Sequence, residues 1–306
     1  MAARPCHHRT VRVLLLLIVA GLAAAQTPKS APPYPPPGKM VDLGGYRVHL
    51  YCTGEGSPMV MIVGGGFSFD WTRVQQEVSK TTRVCVYDPS GTAWSDAGHG
   101  RGCPAWVDEV RDLMRRADVP GPYVLVGLSA GAVIARLYAM NYANDVAGVV
   151  IVDHAFLPKP IPFAKTGRFK DLDSPPVLIS MTPVIGSHAD EPGFSKLPKE
   201  AQELDRWATA ASPDLPTAET SEQCIASAEA AAHGNPHPLG RLPLVVISTG
   251  NQSPGYAELQ QHLLSLSSNS RHLIAENSFH SVEISEPEVV TEGIRDVVAS
   301  ARGGAH

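Results

Sequence analysis

A serine hydroxyl becomes a useful nucleophile only when a base can take its proton and a turn presents it to substrate. Residues Gly127-Leu128-Ser129-Ala130-Gly131 offer such a turn. The apolar run Tyr123-Val-Leu-Val precedes them and an amphipathic pattern through Val133, Leu137 and Met140 follows, so Ser129 falls where a strand passes into a helix. This reads as a nucleophile elbow: the serine takes a strained backbone geometry, and side chains at the two flanking glycines would collide with the neighbouring strand or helix. The helix starting at Ala130 directs its first N–H groups toward negative charge developing beside Ser129 Oγ. A G-x-S-x-G match alone arises easily by chance in a glycine-rich chain, so the strand–turn–helix setting carries the argument.

The elements needed to hold that turn are legible along the chain. Strand patterns at 47–52, 59–63, 82–88, 123–126, 149–153 and 244–248 alternate with helical patterns. Helices are marked by Trp106, Val110, Leu113 and Met114, by the stretch after Ser129, by Leu259, Leu263 and Leu266, and by Val290, Ile294, Val297 and Val298. Alternation with mostly continuous apolar strands predicts an α/β fold, a mostly parallel sheet flanked by helices on both faces. Between about 156 and 241 the alternation breaks into proline-rich sequence, which is expected to form an inserted lid with helices near 200–211 and 220–232.

At 306 residues and 43% hydrophobic content the chain can bury one large core. Arg4, Arg9 and Arg12 precede an apolar run from Val13, and Ala23-Ala24-Ala25 offers a cleavage site. Residues 1–25 therefore read as a signal peptide, 26–39 as a proline-rich linker and 40–306 as the folded domain, with a secreted or periplasmic destination. The apolar run is short for a bilayer span, which argues against stable membrane insertion after cleavage. Cleavage removes three arginines and no acids, taking the formal charge from −5 to −8 and disfavouring nucleic acid as a partner. Of the four cysteines that remain, Cys103 and Cys224 lie in loop or lid segments and are expected to form a disulfide. Cys52 and Cys85 lie in strands and read as two buried thiols. No histidine or cysteine spacing suggests a metal, and Gly64-Gly65-Gly66 lacks the pattern of a nucleotide-binding loop.

The base is sought among twelve histidines. His280 lies in Ala275-Glu-Asn-Ser-Phe-His-Ser-Val, between the last strand pattern and the last helix, which puts it at the sheet edge that presents Ser129. The arrangement resembles the α/β-hydrolase superfamily over nearly all of residues 40–302. Besides the elbow and His280, Tyr87-Asp88-Pro-Ser-Gly91-Thr-Ala-Trp94-Ser95-Asp96 is similar to the Y-D-x-x-G-x-G-x-S segment after the fourth strand. Gly64-Gly65-Gly66-Phe67 stands where such enzymes carry H-G-x and an oxyanion-hole N–H. The chain departs from the pattern at Leu128, Gly64, Ala93 and Phe279, where His, His, Gly and Gly are usual.

The resemblance implies a third catalytic group, a carboxylate following the strand at 244–248, yet Thr249 to Gly255 contains none. A minority arrangement, known in some lipases, puts the acid after the preceding strand, where Asp153 stands; Glu258 and Glu276 are the reserves. The expected oxyanion donors are the backbone N–H of Ala130 and that of Gly66 or Phe67. The implied activity is that of a serine hydrolase cleaving a small-molecule carboxylic ester through Ser129, His280 and Asp153, with no cofactor. A non-catalytic binding protein on the same fold, or a peptidase or amidase, is the alternative.

Overall fold

The computed structural model describes residues 30–98, 100, 102–154, 188–212, 218–250 and 254–304. The signal segment expected at 1–25 and the first part of the expected lid, through residue 187, lie outside the described residues.

Eight strands form one sheet: β1 (Lys39–Asp42), β2 (Arg47–Thr53), β3 (Met59–Ile62), β4 (Val84–Tyr87), β5 (Tyr123–Leu128), β6 (Val146–Val152), β7 (Leu244–Thr249) and β8 (Ser270–Ala275). Their order is β1-β2-β4-β3-β5-β6-β7-β8. β2 runs antiparallel to β1 and β4, and every pairing from β4 to β8 is parallel. The crossover helices are α1 (Thr72–Val78), α2 (Cys103–Arg116), α3 (Ala130–Asn141) and α6 (Pro254–Ser265). The chain ends in α7 (Val282–Ser285) and α8 (Pro287–Gly303). Between β6 and β7 come α4 (Lys199–Ala211) and α5 (Ala218–Ala232). The predicted α/β architecture is thus present, and β1, which no sequence pattern marked, extends its edge.

Strand side chains alternate between faces, and here both faces are apolar, which is why the strands read as unbroken hydrophobic runs. Met59 and Met61 join Leu125, Ile151 and Val246 in a core with α2, α3, α5 and α6. Val60 and Ile62 join Val124, Val126, Val150 and Ile247 in a second core with α1 and α8. A third cluster packs Phe67 and Phe69, just after β3, against Phe194, Leu197, Ala201, Leu204 and Ala208 of the segment leading into and along α4. The chain moves from β3 outward to β4, then back across β3 to β5. Where the winding reverses, the loops after β3 and β5 both emerge at the carboxyl edge, the usual place for a ligand in an open α/β sheet.

Two disulfides are present. Cys103–Cys224 joins the start of α2 to α5 across 121 residues of sequence, as expected. Cys52–Cys85 corrects the expectation of two buried thiols: the two residues are direct partners in the antiparallel β2–β4 register, with Cα atoms 4.0 Å apart. Facing cysteines on adjacent antiparallel strands come close enough to bridge, and strand adjacency is not visible in the sequence. In the chain-entropy picture each bridge stabilises the fold by about 3 to 5 kcal/mol. Denaturant titration of Cys52→Ser/Cys85→Ser and of Cys103→Ser/Cys224→Ser should each show a loss of that size against the oxidised parent.

Candidate active site

Ser129 links β5 to α3 with φ 54° and ψ −116°, the strained geometry expected of an elbow. Its setting is made of backbone packed on backbone. A Cβ at Gly127 would lie 2.2 Å from the Gly131 carbonyl group, and one at Gly131 would lie 2.4 Å from that of Gly64. The elbow glycines are therefore needed for close approach, and the glycine loop after β3 lies directly against the turn. The Leu128 N–H donates to the Gly64 carbonyl at 3.2 Å, and that of Ser129 to the Val152 carbonyl at 3.1 Å.

Asp153 follows Val152 immediately, so it and Ser129 lie side by side at the ends of neighbouring strands β6 and β5, where Leu128 is the register partner of Val152. Asp153 is buried, has φ 35°, and its Oδ2 lies 2.6 Å from His280 Nδ1. Its other oxygen accepts the Tyr256 hydroxyl proton, and that hydroxyl in turn accepts the Thr249 N–H at 3.0 Å. The structure therefore joins Asp153 to His280, while Glu258 and Glu276 are exposed. Sequence reading missed Tyr256, which stands in the first turn of α6 and reaches the strand end only through the fold. The His280 loop is held from behind. Glu286 accepts from the Asn277 N–H at 2.7 Å and the Ser278 hydroxyl at 2.9 Å, and Ser285 reaches Ser278 at 2.7 Å. With Nδ1 toward Asp153 and the side chain 37% exposed, Nε2 is the nitrogen left to serve a reactant.

Of the two glycine-loop donors expected, Phe67 is withdrawn. Its N–H is turned onto Asp70 Oδ2 at 2.6 Å and its ring is buried in the third cluster. Asp88 braces the same loop, taking the Ser68 N–H at 2.9 Å and its hydroxyl at 3.1 Å, and pairs with His49 at 2.7 Å. The acidic residue of the Tyr87-Asp88 segment is thus a support for the loop. Ala93, where glycine is usual, has φ 38°, a backbone shape that a Cβ makes costly by about 1 kcal/mol. His154 is buried beneath the elbow, its Nδ1 3.3 Å from the Ser129 carbonyl and its carbonyl accepting the Gln260 amide at 3.2 Å.

The family described as "Alpha/beta hydrolase family" matches residues 59–292. The chain is 27% identical over 263 residues to the uncharacterized protein YqjL of Bacillus subtilis, spanning 81% of this chain and 85% of that protein. It is 27% identical over 121 residues to the 2-hydroxy-6-oxo-2,4-heptadienoate hydrolase of Pseudomonas putida, covering 38% of this chain and 44% of the relative. Among solved structures it is similar in fold to a putative lipase of Acinetobacter baumannii, with a TM-score of 0.62, 17% identity, and coverage of 87% and 91%.

Burial, and then the nearby charge of Arg136, push the pKa of His154 down to about 3, so the folded protein holds this imidazole neutral. An unfolded histidine takes a proton near pH 6.5. Stability linked to His154 is therefore complete above 6.5 and is lost as pH falls from there toward about 3. Urea titrations at pH 7.5 and 5 should give a drop that is smaller in His154→Gln than in the parent by about 2 kcal/mol.

Proposed function

The chain belongs to the Alpha/beta hydrolase family, and within it we propose an exported serine hydrolase that cleaves carboxylic esters of small or medium-sized organic acids. The observation that carries this reading is the 2.6 Å contact between His280 Nδ1 and Asp153 Oδ2, made by an acid that directly follows the residue bonded to the Ser129 amide. The contact supports Asp153 as the acid in a chain with no carboxylate between Thr249 and Gly255, and so favours an enzyme over a non-catalytic binding protein.

In this mechanism His280 Nε2 removes the Ser129 Oγ proton as Oγ attacks the ester carbonyl carbon. Asp153 holds the imidazole in the tautomer with hydrogen on Nδ1 and stabilises its cation. The tetrahedral oxyanion is met by the backbone N–H groups of Ala130 and Gly66, with the N-terminal end of α3 adding a favourable dipole. Collapse expels the alcohol, protonated by His280, and leaves an acyl group on Ser129. A water activated by His280 then releases the acid and restores the serine. Every step uses protein groups and water.

The segment between β6 and β7 acts as the lid in this reading, since α4 packs on the glycine loop through the Phe67 cluster. Export is supported by the basic and apolar N-terminus and by the two disulfides, which suit an oxidising compartment.

Ser129→Ala should abolish labelling by a fluorophosphonate and turnover of p-nitrophenyl esters while leaving the denaturation midpoint near that of the parent. His280→Ala should lose turnover about as completely, because nucleophile and base act as one unit. For Asp153→Asn kcat should fall by roughly 10² to 10⁴ with KM little changed, and Glu258→Gln and Glu276→Gln should stay within a few-fold of the parent. Parental activity in the Ser129 variant would remove the nucleophile from this scheme. Tyr256→Phe takes away one of the two hydrogen bonds to Asp153, and kcat should fall about 10-fold, a loss of about 1.4 kcal/mol.

A further inference from the structure

Outside the Ser129 site, acidic groups gather where the lid segment meets the glycine loop. Asp70, just before α1, His188, which opens a 3₁₀ turn at His188–Asp190, and Asp205 of α4 are all buried. His188 Nδ1 lies 2.8 Å from Asp205 Oδ2 and 3.7 Å from Asp70 Oδ2. The three donor atoms fall within 4.8 Å of one another. Asp205 also accepts the His188 N–H at 3.2 Å. Asp70 Oδ1 makes no hydrogen bond, and on α7 the fully buried Glu283 leaves both carboxylate oxygens without one. The charged groups acting most strongly on Glu283 are His188, Asp70 and Glu191. Those acting most strongly on His188 are Asp70, Glu283 and Asp205. The buried carboxylates of Asp70 and Asp205 thus lie against one imidazole.

We propose that Asp70, His188 and Asp205 bind one divalent cation of the zinc class, and that this ion fastens the segment between β6 and β7 to the glycine loop. One imidazole with carboxylates suits zinc better than calcium or magnesium, which favour all-oxygen shells. In a tetrahedral site with bonds of about 2.1 Å, neighbouring ligand atoms stand about 3.4 Å apart. The observed 2.8 Å and 3.7 Å separations bracket that edge. Asp70 offers its unpartnered Oδ1, or Oδ2, which also accepts the Phe67 N–H. Binding releases the proton between His188 and Asp205, freeing Nδ1 as a ligand. The ligands come from the glycine loop, the 3₁₀ turn and α4, so one ion joins elements far apart in the chain. The ion touches none of Ser129, His280 or Asp153, and its role is structural.

The disulfide-intact chain, treated with EDTA, reloaded with ZnCl₂ and dialysed, is expected to retain one zinc per chain by elemental analysis, and zinc should raise its melting temperature. Ser129→Ala should bind identically, which separates this site from the hydrolase assignment. Asp205→Asn and His188→Gln should each weaken zinc binding in calorimetry by at least about 100-fold. Should a variant fail to fold, cobalt(II) in the parent decides: the intense visible absorption of a four-coordinate ion supports the site, and the weak spectrum of a six-coordinate ion overturns it. Substoichiometric zinc in the parent, or unchanged binding in folded Asp205→Asn and His188→Gln, also overturns it.

Discussion

Backbone touches backbone where the glycine loop meets the serine turn, and the rest of the site depends on that contact. Gly131 lies so close to Gly64 that a single methyl group on it would overlap the Gly64 carbonyl, and Gly127 is as close to Gly131. The strand ends beneath supply the force that keeps them together. β3 and β5 pair in parallel from Met59 with Tyr123 to Ile62 with Val126, and the Val63 N–H still reaches the Val126 carbonyl at 2.8 Å. The two chains leave the sheet still hydrogen-bonded through Leu128 and Gly64, so the position of Ser129 relative to the loop amides is set by sheet register. Rigid elements of this kind hold a site more closely than free loops do.

The same economy governs the acid. Asp153 is one residue past a strand whose side chains are packed on both faces, and its own N–H is tied to the Ile247 carbonyl of β7 at 2.8 Å. A short carboxylate on so fixed a backbone loses little entropy in holding an imidazole, whereas a long side chain on a helix surface would lose more. Its two oxygens are divided between His280 and Tyr256, which leaves the group few alternative rotamers. The histidine is the less constrained partner, since it rides on a loop. Glu286 and Ser285, at the junction of α7 and α8, compensate by gripping Asn277 and Ser278.

How far the sequence reaches can be seen at particular residues. The strands and the helix after Ser129 were legible because burial on both faces leaves an apolar run and burial on one face leaves a helical period. Ser129 was legible because its glycines answer a local steric demand, and Asp153 because a strand end is a position in the chain. Cys52 and Cys85 were misread because two buried strand cysteines look alike whether their strands are neighbours or not; only the register of β2 on β4 brings them together. Phe67 was offered as an oxyanion donor because sequence says which residues form a loop but not which way each N–H turns. Tyr256, Glu286 and Asp70 act across more than a hundred residues, nine residues and three residues respectively. None of these carries a sequence signal of its own, since a tyrosine, a glutamate or an aspartate at a helix start is ordinarily solvated or capping.

The direction of the glycine-loop amides follows from two acids held at fixed places. Asp88, at the end of β4, takes the N–H of Ser68, and Asp70, at the head of α1, takes that of Phe67. Consecutive amides are thereby committed to buried carboxylates, and the loop cannot rotate to present either one to a substrate without stranding a buried charge. Gly66 precedes this committed pair, with φ 78° and a would-be Cβ 2.8 Å from Asp70, so its peptide is oriented by the residues after it. The loop that begins at Gly64 is in this way fixed from its far end. The acids that fix it belong to the sheet and to the helix that crosses it, and one of them, Asp70, also lies 3.7 Å from His188 of the segment between β6 and β7. The shape of the loop and the docking of α4 are consequently coupled through Asp70.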